Sequence, residues 1–182
     1  MRVIAGRLGA RRLKAPAGKG VRPTSDRVRE ALFAMLGELD GARVLDLFAG
    51  SGALGIEALS RGAASVTFVE RDPRSIEAIR TNLASAGLVD AESAGDATIV
   101  RADVDAWVGS TASRYDLVLC DPPYDYTGWE SLVSRLPTEL AVLESGVGLP
   151  PVEGWDVLRS RRYGGTIVTV ARPERASQKG VS

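Results

Sequence analysis

Val44-Leu-Asp-Leu-Phe-Ala-Gly-Ser-Gly-Ala-Leu-Gly55 begins as an apolar run broken by one aspartate and ends in three glycines spaced G-x-G-x-x-G. A strand that reads apolar almost throughout is buried on both faces. One that turns through glycines into a helix opens the βα unit of a parallel sheet. The chain on either side repeats that rhythm. Strands are expected at 43–48, 65–70, 97–101, 115–121 and 140–144, with helices between them, the clearest over 73–86 and stopped by Gly87. Residues 155–162 and 166–172, joined through Gly164-Gly165, read as a closing hairpin. The expected architecture is α/β: a mostly parallel seven-stranded sheet ending in an antiparallel hairpin.

Upstream, Thr24 or Ser25 can cap a helix whose apolar positions Val28, Ala31, Leu32, Met35, Leu36 and Leu39 share one face, ended by Asp40-Gly41. Before it, Arg2-Val-Ile-Ala and Arg11-Arg-Leu-Lys-Ala read as two short strands around a glycine-containing turn. The chain thus divides into a basic β-hairpin extension over 1–23, an α/β domain over 24–172 and a polar tail over 173–182.

Charge is uneven along the 182 residues, although 23 basic residues balance 23 acidic ones. The first thirty residues hold nine basic and two acidic side chains, a net +7, which leaves −7 on the remaining 152. A basic arm on an acidic body suits a phosphate backbone; it also suits a solvated strand pair that only keeps the protein soluble. The chain has no histidine and one cysteine, Cys120. That excludes histidine-dependent nucleophilic catalysis, histidine-ligated metal and a disulfide framework. No apolar run approaches the ~20 residues of a membrane span, and the first residues lack the apolar stretch of a signal peptide. A cytoplasmic, monomeric enzyme without metal is expected.

The glycine loop brings backbone close to a ligand, and Glu70, twenty residues after Gly50, can accept hydrogen bonds from a ribose diol. A nicotinamide dinucleotide and S-adenosylmethionine both need this arrangement. Asp46 separates them: a carboxylate just before the glycines is unhelpful to a pyrophosphate and favourable to a cationic amino-acid group. Asp103, after the third strand, can bind an adenine amino group or cap the short helix that follows.

The fourth strand runs directly into Asp121-Pro-Pro-Tyr124, a tetrapeptide that chance supplies in roughly one chain per thousand of this length. An exocyclic amine on a nucleic-acid base is a poor nucleophile, because its lone pair is delocalised into the ring. The Asp121 carboxylate and the Pro122 carbonyl can each accept one of its N–H groups, favouring a pyramidal nitrogen. The fixed φ of Pro122 and Pro123 holds that carbonyl rigid, and Tyr124 can stack on the base. Alternation along the strand points Cys120 to the opposite face, as a core thiol.

These motifs resemble the bacterial small-subunit ribosomal RNA guanine-N2 methyltransferases, a branch of the class I, Rossmann-like methyltransferases. The likeness covers most of the chain, through Met1-Arg-Val-Ile-Ala-Gly6, Arg22-Pro-Thr-Ser-Asp-Arg-Val-Arg-Glu-Ala-Leu-Phe33, the run from Leu45 to Ala63, Val69-Glu70 and the tetrad. It implies S-adenosylmethionine as cofactor and methylation of one guanine in 16S rRNA near the ribosomal P site, on the small subunit or its assembly intermediate. Carried over by residue, it implies cofactor contacts from Asp46, Phe48, Ala49, Gly50, Ser51, Gly52, Glu70, Arg71, Asp103 and Val104. It implies catalysis at Asp121, Pro122, Pro123 and Tyr124, and RNA contacts from Arg2, Arg7, Arg11, Arg12, Lys14, Arg22 and Thr24. Arg22 and Thr24 can sit beside the cofactor's methionine end or at the RNA entrance, the plainer alternative being a helix start with a solvated arginine. One departure is the stretch 125–151, shorter than is usual for the family. The tetrad also serves DNA adenine-N6 and cytosine-N4 methyltransferases, which remain the alternative, although no separate target-recognition domain is visible. A nicotinamide-dependent oxidoreductase would use the glycine loop alone, and a non-catalytic ribosome-binding module the basic arm alone.

Overall fold

The computed structural model describes residues 1–16, 26–88 and 97–174. Its elements are α1 (Asp26–Leu36), β1 (Arg43–Leu47), α2 (Ala53–Ser60), β2 (Ser65–Glu70), α3 (Pro73–Ser85) and β3 (Ala97–Arg101). They continue as α4 (Val104–Ser110), β4 (Leu117–Cys120), α5 (Trp129–Val133), β5 (Ala141–Ser145), β6 (Trp155–Tyr163) and β7 (Thr166–Pro173). The strands form one seven-stranded sheet in the order β3-β2-β1-β4-β5-β7-β6. The first five are mutually parallel, and β7 runs antiparallel to both β5 and β6. This is the architecture expected from the apolar runs and the closing hairpin.

Alternation along the strands divides the core in two. Val44, Leu117, Leu119, Val142, Val168 and Val170 face a layer that includes residues of α1, α2 and α3. Leu45, Leu47, Val118, Cys120 and Leu143 face α4 and α5. Gly55 allows the first layer to close: a Cβ there would lie 2.3 Å from Cε1 of Phe68, so only glycine lets α2 approach β2 this nearly.

Among the boundaries that differ from the sequence reading are those of α1, β1 and β4. Helix α1 stops at Leu36 because Gly37 adopts φ +77°, a left-handed exit that outweighs the continuing apolar period. Leu39 is buried all the same, on the connection. Strand β1 ends at Leu47, since Phe48 has φ +56°. Strand β4 starts at Leu117, Tyr115 making only an isolated bridge to Thr138. The expected helix caps Thr24 and Ser25 lie outside the described residues.

The expected N-terminal strands reduce to a single antiparallel bridge, Arg2 to Arg12, with backbone bonds from Val3 N to Arg11 O and from Leu13 N to Met1 O. The arm is short of sheet partners, so side chains of the helices satisfy its backbone instead. Glu57 of α2, fully buried, accepts from Ile4 N at 2.7 Å and Ala5 N at 3.1 Å, and pairs with Arg61 at 2.7 Å. Ser60 Oγ accepts from Leu8 N at 3.0 Å. Gly6 passes so close to Ser60 that an added Cβ would lie 1.8 Å from its carbonyl oxygen. Asn82 of α3, also fully buried, exchanges two hydrogen bonds with the Lys14 backbone and donates a third to Ser51 O at 2.9 Å. Val3, Leu8 and Leu13 complete the anchoring by joining the core under α2 and α3. The arm therefore shares the body's core.

Removing the Glu57 carboxylate leaves two arm N–H groups and the Arg61 guanidinium without their acceptor. Glu57→Ala is expected to destabilise the fold by about 3 to 5 kcal/mol. Urea unfolding checks this through a lowered midpoint at unchanged slope.

Candidate active site

Because β1 and β4 are adjacent and parallel, with Leu47 beside Cys120, the segments leaving their carboxyl ends emerge side by side. That is where ligands bind in open parallel sheets. The glycine loop and the tetrad open there into one cleft of about 970 Å³. Asp46, Phe48, Ala49, Gly50, Ser51, Glu70, Arg71 and Val104 line it, together with Asp121, Pro122, Pro123 and Tyr124. Gly52 and Asp103 do not. Gly52, with φ +76°, is the N-cap of α2, and a Cβ there would lie 3.3 Å from both Ile79 and Phe68. Asp103 caps α4, its Oδ1 accepting from the backbone N–H groups of Asp105 and Ala106, while its Oδ2 lies 3.4 Å from Arg71.

The loop is built under strain. Phe48 occupies the left-handed region at φ +56°, which costs a residue with a side chain on the order of 1 to 3 kcal/mol. Ring packing helps hold it: Phe48 meets Tyr126 edge-on at 5.2 Å, and Tyr126 meets Trp129 at 5.3 Å. Gly50 follows at φ +55° and donates to Glu70 Oε2 at 2.9 Å. Glu70 Oε1 accepts from the N–H groups of Arg71 and Asp72. Three of the roughly four acceptor positions of this carboxylate are therefore occupied by backbone.

Asp46 is only 1% exposed, and its Oδ2 accepts from Gly55 N at 2.9 Å. Burial pushes its carboxyl well above the usual aspartate range. The Gly55 N–H opposes that shift, while the charges of Asp121 and Glu70 add to it. A cation placed near Asp46 would relieve this crowding of negative charge.

At the tetrad, Asp121 N donates to Leu47 O at 3.5 Å and extends the β1–β4 ladder past the strand. Pro122 is buried; Pro123 and Tyr124 are exposed. Tyr124 donates its hydroxyl to the Gly165 carbonyl in the β6–β7 turn, and its ring lies over Gly146, where a Cβ would fall 2.4 Å from Cε1. Cys120 is 1% exposed on the far face of the sheet, and burial with nearby carboxylates pushes its thiol up. It is a core residue, as the alternation required.

Arg2, Arg7, Arg11, Arg12 and Lys14 all lie on the surface. Arg2 sits 3.5 Å from Asp26, and Arg11 donates to Ser85 O at 2.7 Å. Arg22 and Thr24 fall outside the described residues. Lining residues that the sequence reading missed include Glu144 of β5 and Arg162, Tyr163 and Thr166 of the closing hairpin, with Met1 and Arg29 on the α1 side. Glu144 carried a visible signal, a carboxylate ending an apolar run, but its position depends on which strand lies beside β4. The hairpin and Arg29 gave no local signal.

The family model described as "Conserved hypothetical protein 95" matches residues 1–172. The chain belongs to this family. Relatives include YlbH of Bacillus subtilis, 38% identical over 93% of this chain and 97% of its own. Ribosomal RNA small subunit methyltransferase D of Escherichia coli K12 is 36% identical over 90% of this chain and 85% of its own. Among solved structures, yhhF of Escherichia coli superposes with a TM-score of 0.81 at 34% identity, covering 96% of this chain and 98% of that one. The fold is accordingly that of the class I, Rossmann-like methyltransferases.

The raised carboxyl of Asp46 makes stability depend on pH with a definite sign. From the ordinary aspartate range upward the unfolded chain releases this proton while the folded chain retains it, so stability is lost until the raised folded value is passed. Asp46→Asn removes that loss. It is expected to melt higher than wild type at pH 7, with the gain vanishing near pH 4, which thermal unfolding across this range measures.

Proposed function

We propose that this protein transfers a methyl group from S-adenosylmethionine to the exocyclic N2 of a guanine in the 16S rRNA of the small ribosomal subunit, in the cytoplasm. The observation that carries the reading is the single cleft in which the glycine loop and the Asp121-Pro-Pro-Tyr124 tetrad meet. The name borne by the Escherichia coli relative supports the substrate.

The cofactor fits the residues present. The buried Asp46 carboxylate, crowded by Asp121 and Glu70, favours a cationic amino-acid end. Gly50 and its neighbours admit a ligand close to backbone. Glu70 keeps acceptor capacity for one ribose hydroxyl beyond its three backbone bonds. Phe48, Ala49, Ser51, Arg71 and Val104 complete the lining on this side, with Gly52 shaping the loop from below and Asp103, which caps α4 and faces Arg71, offered to the adenine amino group. When bound, S-adenosylmethionine supplies a methyl carried on a sulfonium and already electrophilic. The chain's own work is positioning: Asp121 and the Pro122 carbonyl hold the two amine hydrogens, Pro123 fixes that carbonyl, and Tyr124 stacks on the base. For well-aligned reactants such positioning is worth on the order of 7 to 11 kcal/mol. The reaction needs neither a metal nor a second subunit.

Two basic surfaces flank the acidic cleft and suit RNA. One is the arm, with Arg2, Arg7, Arg11, Arg12 and Lys14, which in this reading continues to Arg22 and Thr24 over 1–23 and serves the catalytic body over 24–172. The other is the outer strand β6, whose Arg159, Arg161 and Arg162 are exposed and form no ion pair among the described residues. Phosphate contacts of this kind supply affinity and leave base choice to the cleft.

The test is incubation with labelled S-adenosylmethionine and small subunits from a strain lacking the enzyme, followed by nucleoside analysis. N2-methylguanosine in 16S rRNA is expected; label in DNA and not in the particles would overturn the reading. Asp121→Ala should lower transfer at least ~100-fold while affinity for S-adenosylhomocysteine, read by calorimetry, stays within about threefold. Replacing Arg12 and Lys14 by alanine should weaken particle binding and reduce the slope of log affinity against log salt by about 1 per residue removed.

A further inference from the structure

The pairing of β4 with β5 places a second carboxylate beside Asp121. The two strands run parallel, with Leu119 opposite Val142 and Cys120 opposite Leu143. One residue further on, Asp121 and Glu144 are lateral neighbours on strands about 4.8 Å apart. Cys120 and Leu143 face the α4–α5 side, whereas Leu119 and Val142 face the other. Asp121 and Glu144 therefore share the second face, the one that opens into the cleft, and both line it.

Glu144 is only 3% exposed. Its partner on the other flank is Val168 of β7, and the preceding same-face residue of its own strand is Val142. An aliphatic side chain would fill this end of the core without the desolvation that a carboxylate imposes. An acidic group at this position therefore points to the site rather than to packing.

Base chemistry states what a second acceptor beside the tetrad discriminates. The exocyclic amine of adenine is flanked by ring nitrogens or carbons that carry no N–H, and so is that of cytosine. Guanine alone places a ring N–H, at N1, directly beside its amine. An acceptor next to Asp121 completes a hydrogen bond with guanine and opposes the N1 lone pair of adenine or the N3 lone pair of cytosine. Sites built around such a bond reject analogues lacking it far more strongly than apolar pockets do.

We propose that Glu144 is the guanine-selecting residue, accepting the ring N1–H while the adjacent amine is held at Asp121 and Pro122. This rests on the methyltransferase reading above and adds to it a physical reason for guanine over the other two amine-bearing bases.

The test compares wild type, Glu144→Met and Glu144→Gln on the same small subunits, with nucleoside analysis, S-adenosylhomocysteine calorimetry and thermal melting. Methionine fills the space without an acceptor; glutamine restores an acceptor without charge. Expected is a loss in kcat/KM of at least ~100-fold for Glu144→Met, partly restored in Glu144→Gln, with ligand affinity held and melting temperature not lowered in either. Guanine transfer by Glu144→Met within threefold of wild type overturns the assignment, as does a loss matched by an equal loss of S-adenosylhomocysteine affinity. If wild type itself leaves guanine unlabelled, the proposed function falls and takes this inference with it. An active wild type beside a tolerant Glu144→Met removes Glu144 alone.

Discussion

Adjacency of β1 and β4 is the constraint on which the cleft depends. Their pairing runs from Val44 opposite Leu117 to Leu47 opposite Cys120, and because side chains alternate, a slip of one residue would turn Asp121 into the α4–α5 core and bring Cys120 out in its place. The buried aliphatic residues on both faces of these strands forbid that slip. The geometry of the cleft is thus a by-product of core packing: the residues that hold the register are apolar, and Asp121, which they aim, lies one step past the last paired position.

Most of the sheet could be read from the chain because doubly buried strands announce themselves as apolar runs and the glycines mark where they turn. What escaped was decided by geometry that no local pattern carries. The apolar period of α1 continues to Leu39, and only the left-handed backbone at Gly37 ends the helix earlier. The first strand stops short because Phe48 bends away, a strained conformation that residue type argues against. Asp103 had two readings from the start, ligand and cap; its Oδ1 serves the cap, and its Oδ2 is directed to Arg71. Glu144 escaped because its meaning comes from the strand beside it, and strand order is a property of the whole fold.

Charge is arranged in zones across the molecule. Carboxylates of Asp46, Glu70, Asp121 and Glu144 gather in the cleft, while exposed arginines occupy the arm and the outer strand β6. Such zoning lets a polyanion be drawn to the rim without being drawn into the centre, where it would compete with a positively charged ligand. Overall neutrality hides this, since the two zones cancel in the sum.

Asn82 has a wider consequence than its size suggests. Its one amide grips Lys14 in the arm and the Ser51 carbonyl in the glycine loop, so two regions far apart along the chain are fastened to a single rigid point inside α3. Any change of geometry in either region therefore acts on the same buried amide that holds the other, which is the physical condition for events at the glycine loop and at the arm to be linked.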